Sequence, residues 1–107
     1  MRSLRATSVF AALALVACAG TELTTKGQTV RIAGRDQQTT FRLNDLCRQS
    51  PATIAYRDIN DARNITASND YNVVQILFEN AYYKTGQARM WQCPADFPYT
   101  VLRKLPP

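Results

Sequence analysis

The chain contains no histidine, and only three cysteines stand among its 107 residues. Without histidine the commonest general base and metal ligand is missing. No Cys-x-x-Cys occurs, which removes the usual zinc and thioredoxin-like patterns. The carboxylates fall singly along the sequence, and the closest helical pair, Asp58 and Asp61, suits a solvated face. Ser50 is better read as a helix cap than as a nucleophile. Hydrolysis or group transfer needs a nucleophile with a base, or a metal with ligands. The expectation is therefore a protein that is not an enzyme and takes no metal or cofactor.

Long apolar runs are missing too. Thr7 to Ala17 spans eleven residues, against the roughly 20 needed to cross a bilayer. Positive charge is mild and dispersed: the net charge is +5, with no basic run longer than Arg103-Lys104. Nucleic-acid binding needs a concentrated basic face, so that class of partner is not expected. Prolines are few, and four of the five lie between Pro94 and Pro107.

What is present begins at the amino terminus. Arg2 and Arg5 precede an apolar stretch from Val9 to Val16, and Leu15-Val16-Ala17-Cys18 follows. A basic start, a short apolar segment and small residues before a cleavage point make a secretory signal. With a cysteine at that point, the pattern is that of a bacterial lipoprotein: residues 1–17 are removed and Cys18 carries the lipid. Two or three acyl chains would hold the protein stably, where one would hold it marginally. Ala19, rather than aspartate, follows the cysteine, which favours the outer membrane. The partner at this end is thus the membrane itself, through Cys18.

Removal of residues 1–17 leaves 90 residues and a net charge of +3, one small domain with a limited core. Cys47 and Cys93 are the thiols that remain. In an oxidising periplasm the default is a disulfide between them, worth about 3–4 kcal/mol by loop-closure entropy. The competing reading of the two thiols is a redox or metal pair.

Residues 18–27 are small and polar and suit the lipidated terminus and its tether. Thr29 to Ala33 alternates like a half-buried strand, and Thr39 to Leu43 alternates again through Phe41 and Leu43. Ser50-Pro51 reads as a helix start, with helical spacing from Ala52 to Ser68 along Ala55, Ile59, Ala62 and Thr66. Arg57 and Asp61 are spaced for a surface pair. Asn69-Asp70 closes the helix. Val73 to Phe78, almost continuously apolar, predicts a central strand covered on both faces. After a turn at 80–86, residues 87–93 return as its hairpin partner, with Ala88 and Met90 facing one way and Trp91 and Cys93 the other. The fold class is α+β: an antiparallel-rich sheet of about four strands packed on one helix, in ββαββ order with one disulfide. The domain is 28–94 and the proline-rich tail 95–107.

Several short motifs in this order resemble a group of small enterobacterial lipoproteins of unknown function with an RcsF-like fold. They are Glu22-Leu23, Gly27-Gln28-Thr29-Val30-Arg31-Ile32, Asn60-Asp61-Ala62-Arg63-Asn64, Asn72-Val73-Val74, Gly86-Gln87 and Cys93-Pro94. The resemblance implies an outer-membrane protein that works by contact or sensing in the periplasm. Cys47 falls later than the family's first mature cysteine, Tyr71 stands where a glycine is usual, and the tail runs past where relatives tend to stop.

Two segments are candidates for binding an envelope protein. One is the hairpin with Tyr82, Tyr83 and Trp91, since aromatic residues bury contact area at low entropic cost. The other is the tail around Tyr99, which can add as a strand to a sheet edge, pack on its own domain or stay free. The functional expectation is an outer-membrane-anchored, periplasm-facing module that binds proteins or senses the envelope. The alternative is a plasmid- or phage-encoded exclusion lipoprotein that blocks an outer-membrane receptor.

Overall fold

A computed structural model describes residues 20–102. The signal segment, Cys18 and residues 103–107 lie outside the described residues. The strands are β1 (Arg31–Ala33), β2 (Arg48–Tyr56), β3 (Val73–Glu79) and β4 (Gly86–Gln92). The helices are α1 (Gln37–Leu46) and α2 (Ile59–Ser68), with short 3-10 turns at Gly27–Thr29 and Tyr99–Val101. The sheet order is β1-β3-β4-β2. β1 runs parallel to β3, whereas β4 is antiparallel to both β3 and β2.

The fold is α+β with four strands and one Cys47–Cys93 disulfide, as the sequence leads one to expect. Taken with α2 alone, the strands follow the ββαββ order; a further helix, α1, stands between β1 and β2. The sheet is mixed, and it packs on two helices rather than one.

Two local assignments are corrected. The stretch 39–43 is helical, not a strand. Asp36 caps α1 by accepting the Thr39 N–H at 3.1 Å, which supplies the partner a first-turn amide lacks. Thr39 and Leu43, four apart, are buried, while Phe41 between them is 71% exposed. That is helical, not alternating, burial. The stretch 48–56 is a strand, not the start of a helix. Pro51 falls where the β2–β4 register shifts between Gln49 and Thr53. An edge strand tolerates proline at such an irregularity because no ladder bond is lost there. The helix starts at Ile59 with Asp58 as its cap, so Ser50 caps nothing. Ala62 and Thr66 remain on its buried stripe, and Arg57 and Asp61 do pair, at 3.4 Å.

Each face of the sheet has its own core. On one face Val74, Ile76, Ala88 and Tyr56 pack with Ala62 and Ala67 of α2. On the other, Val73, Trp91 and Ala33 pack with Leu43 of α1 and with Phe97, which folds back from the tail. β3 is thus a central strand covered on both faces over Val73–Ile76, whereas Phe78 near its far end is 57% exposed. Gly86 opens β4 where a Cβ would strike the Phe78 carbonyl and the Tyr56 ring.

The segment expected as a tether lies along α2. The Thr21 N–H donates to Asp58 Oδ2 (3.1 Å), the Thr24 N–H to Asn64 Oδ1 (2.9 Å), and Asn64 Nδ2 to the Glu22 carbonyl (2.8 Å). Asp58 therefore holds both the helix and the arm. Burial alone would raise its pKa, but the N–H donors of Asp61 and Thr21 and the Arg57 guanidinium outweigh burial and hold it below the ordinary value. A carboxyl depressed in the folded state stabilises above its unfolded pKa and loses that contribution as pH falls through the folded one. Asp58→Ala should cost about 1 kcal/mol at pH 7. In thermal melts, the gap from the parent should close as pH drops below about 4. A gap that persists at low pH would mean the lost group was not an ionised cap.

Candidate functional site

Asn80 organises the β3–β4 hairpin tip. Its side-chain Oδ1 accepts the N–H groups of Tyr82 and Tyr83, each at 3.0 Å. Its backbone N–H donates to the Thr85 carbonyl and its carbonyl accepts from the Lys84 N–H. Lys84 takes a positive φ of 63° to close the turn. With the tip's amides held inward, the two tyrosine rings are left outside. Tyr82 is 85% and Tyr83 69% exposed, and their rings meet edge to face at 4.8 Å. At the base, Tyr56 donates to Glu79 at 3.2 Å. Burial, followed by the Glu79 charge, pushes the Tyr56 phenol well up, so it stays neutral.

A depression of ≈ 330 Å³ joins the base of this tip to the start of the described chain. Gly20 and Thr21 line it together with Asp58, Asn60, Glu79 and Lys84.

A larger groove of ≈ 680 Å³ runs along the outer edge of β1. Residues 28–32 form one wall, with Arg63 of α2 and with Tyr99 and Leu102 of the tail. β1 is an outermost strand, and the Arg31 N–H is spent on Asn72 of the β3 side. By strand alternation the N–H and C=O of Ile32 point into the groove. The two guanidiniums flank this edge from opposite faces. Arg31 lies 4.5 Å over the Tyr99 ring centroid on the Trp91 side. Arg63 reaches the Gln28 carbonyl at 3.0 Å on the α2 side. Its Nε is buried without an acceptor. Among the described residues, no carboxylate lies within 4 Å of either guanidinium.

The proposed contact residues are therefore divided. Tyr82 and Tyr83 stand together in water. Trp91 does not join them, and its assignment as a contact is corrected: it is fully buried, and its Nε1 donates to Gln75 Oε1 at 3.0 Å. It points to the sheet face that α1 and the tail cover. Tyr99 packs against Phe97 (5.1 Å) and donates to the Pro94 carbonyl at 3.2 Å, so the described part of the tail packs on its own domain. Cys47 follows α1 and Cys93 follows β4, and their disulfide joins the start of β2 to the end of β4. Asn72 reinforces that corner by donating to the Cys93 carbonyl and accepting its N–H, both at 2.8 Å.

Sequence reasoning does not single out Arg31, Arg63, Asn72 or Gln75. The glutamine inside Val73-Val74-Gln75-Ile76 is the one local signal among them, because a polar side chain in an apolar run must find partners. Among the described residues, no cluster of histidine, cysteine or carboxylate suits a metal ion, and no helix is long and apolar enough to cross a membrane. The sequence matches no protein-family model, no curated protein and no solved structure.

Proposed function

We propose that this protein is an outer-membrane lipoprotein, anchored through Cys18, whose periplasmic domain binds an envelope protein and performs no chemistry. The groove beside β1 carries this reading. Among the described residues it offers a strand edge with no partner strand, an apolar wall from Val30, Ile32 and Leu102, and two cations with no carboxylate within 4 Å. Such a surface suits an extended, acidic segment, whose backbone would add to the edge while its carboxylates meet the guanidiniums. The chain's lack of histidine and the Val16-Ala17-Cys18 signal support the same assignment, as does the resemblance to RcsF-like lipoproteins.

A photo-crosslinking residue at Gln28, exposed in the groove, should give a discrete adduct with an envelope protein. Arg31→Glu in the same chain should reduce that adduct about tenfold, equivalent to about 1.4 kcal/mol, with little change in melting temperature because Arg31 is exposed. No adduct, or an adduct indifferent to the charge reversal, would exclude the groove. The anchor has its own test. Cys18→Ser should abolish palmitate labelling and leave the chain unprocessed or released; unchanged labelling would refute the lipoprotein assignment.

A further inference from the structure

We infer that the Tyr82–Tyr83 tip rests in the headgroup layer of the membrane that carries the anchor, so that lipid and hairpin together set the orientation of the domain. This rests on acylation of Cys18. Thr21 is fastened at both backbone groups, its N–H to Asp58 (3.1 Å) and its carbonyl to Asn60 Nδ2 (3.0 Å). Gly20 and Thr21 share one depression with Lys84 and Glu79. Cys18 precedes Gly20 by two residues, a reach of about 7 Å at full extension. A lipid on Cys18 therefore enters the bilayer beside the hairpin, and the bilayer surface cannot lie far from the tip.

The tip has the chemistry for that surface. Tyrosine concentrates at membrane interfaces, where its ring sits among headgroups and its hydroxyl stays hydrated. Two such rings stand outside the fold, and Lys84 beside them complements anionic headgroups. Residues 80–85 contain no acid. The N–H groups of Asn80, Tyr82, Tyr83 and Lys84 are already bonded within the tip, so entering a drier layer leaves few amides there without partners. The proposed groove is at the other end of β3: β1 pairs with Val73–Gln75, whereas the tip follows Glu79. At roughly 3.3 Å per strand residue, the two are separated by about 15–20 Å. A domain resting on its tip holds the groove away from the membrane, open to a partner.

The acylated, processed chain should be reconstituted in vesicles of phosphatidylethanolamine and phosphatidylglycerol carrying a gadolinium-labelled headgroup. The amides of residues 82–85 should broaden as strongly as that of Thr21, while those of 31–33 should not. Tyr82→Ser with Tyr83→Ser should at least halve the broadening at the tip without moving the melting temperature. Broadening confined to residues near Thr21, tip broadening indifferent to the double substitution, or tip protection that appears only when an envelope protein is added would overturn the inference. Mass analysis of the same sample separates the two levels. An unmodified Cys18 defeats the anchored reading as well, whereas an acylated chain with an unbroadened tip defeats only the membrane contact.

Discussion

Trp91→Ala should leave the domain unfolded or close to it at physiological temperature. The indole is fully buried among Val73, Leu43, Cys93 and Phe97. Deleting a core tryptophan costs about 3–5 kcal/mol. The hydrogen bond adds to this. Trp91 Nε1 donates to Gln75 Oε1, while Gln75 Nε2 donates to the Gly34 carbonyl at 3.1 Å and to Thr40 Oγ1 at 2.7 Å. Gln75 thus ties β4 to the loop before α1 and to α1 itself. Removing the indole orphans a buried oxygen, at about 1–3 kcal/mol. The combined loss, about 4–8 kcal/mol, is comparable with the whole stability of a small domain. Trp91→Phe keeps most of the packing and loses only the donor, so its cost should fall well below that of alanine. Urea unfolding of the two variants decides the matter. A loss under about 2 kcal/mol for alanine would mean that Trp91 does not organise this core.

How far the sequence foretells these sites depends on whether their parts are neighbours in the chain. β3 is legible because its apolar run is long, β-branched at the start and bounded by Asn69-Asp70 and Asn80. The sidedness of β4 follows from strict alternation, and Ala88 and Trp91 do enter opposite cores. α1 is not legible from periodicity. It buries only Thr39 and Leu43, and with Phe41 between them two points fit a period of 2 as well as 3.6. Its usable signal is Asp36, three residues before Thr39, a capping pattern that no strand needs. The run 52–55 sets helix-favouring Ala52 and Ala55 beside β-branched Thr53 and Ile54, so Ser50-Pro51 decides its reading as helix. Pairing with β4 overrides that signal, as tertiary contacts commonly override local propensity.

The two candidate surfaces divide in the same way. The hairpin tip is one local turn, and its exposed tyrosines can be read from six consecutive residues. The groove gathers Arg31, Arg63 and Tyr99 from three distant segments. Only the parallel pairing of β1 with β3, the position of α2 and the fold-back of the tail bring them together. The arm 20–30 is legible in composition and not in conduct, because its anchors, Asp58, Asn60 and Asn64, belong to a helix about 40 residues away.

Replacing both Cys47 and Cys93 by serine should cost about 4 kcal/mol, since the bridge closes a loop with a sequence separation of 46. In a domain of this size that corresponds to a melting temperature lower by roughly 15–30 °C. The bridge also belongs to the Trp91 core, where Cys93 is buried and Cys47 packs against it, so weakened apolar packing adds to the loop-closure term. The expected loss is uneven over the molecule. α1 contributes one buried leucine to that core and the tail contributes Phe97, and neither buries enough surface to stay docked once β2 and β4 are uncoupled at Cys47. The other face, with α2 and the docked arm, keeps its core intact. Hydrogen exchange of the double variant should therefore accelerate first in residues 37–46 and 94–102 and last in 59–68 and 73–79. Uniform acceleration would mean that the two cores unfold as one unit, and an unchanged melting temperature would mean that Asn72 and the strand ladder already hold the corner without the sulfurs. Because Trp91 and Cys93 share one core, the serine pair combined with Trp91→Phe should cost less than the sum of the two. Packing that the first change has already loosened has less left for the second to disturb.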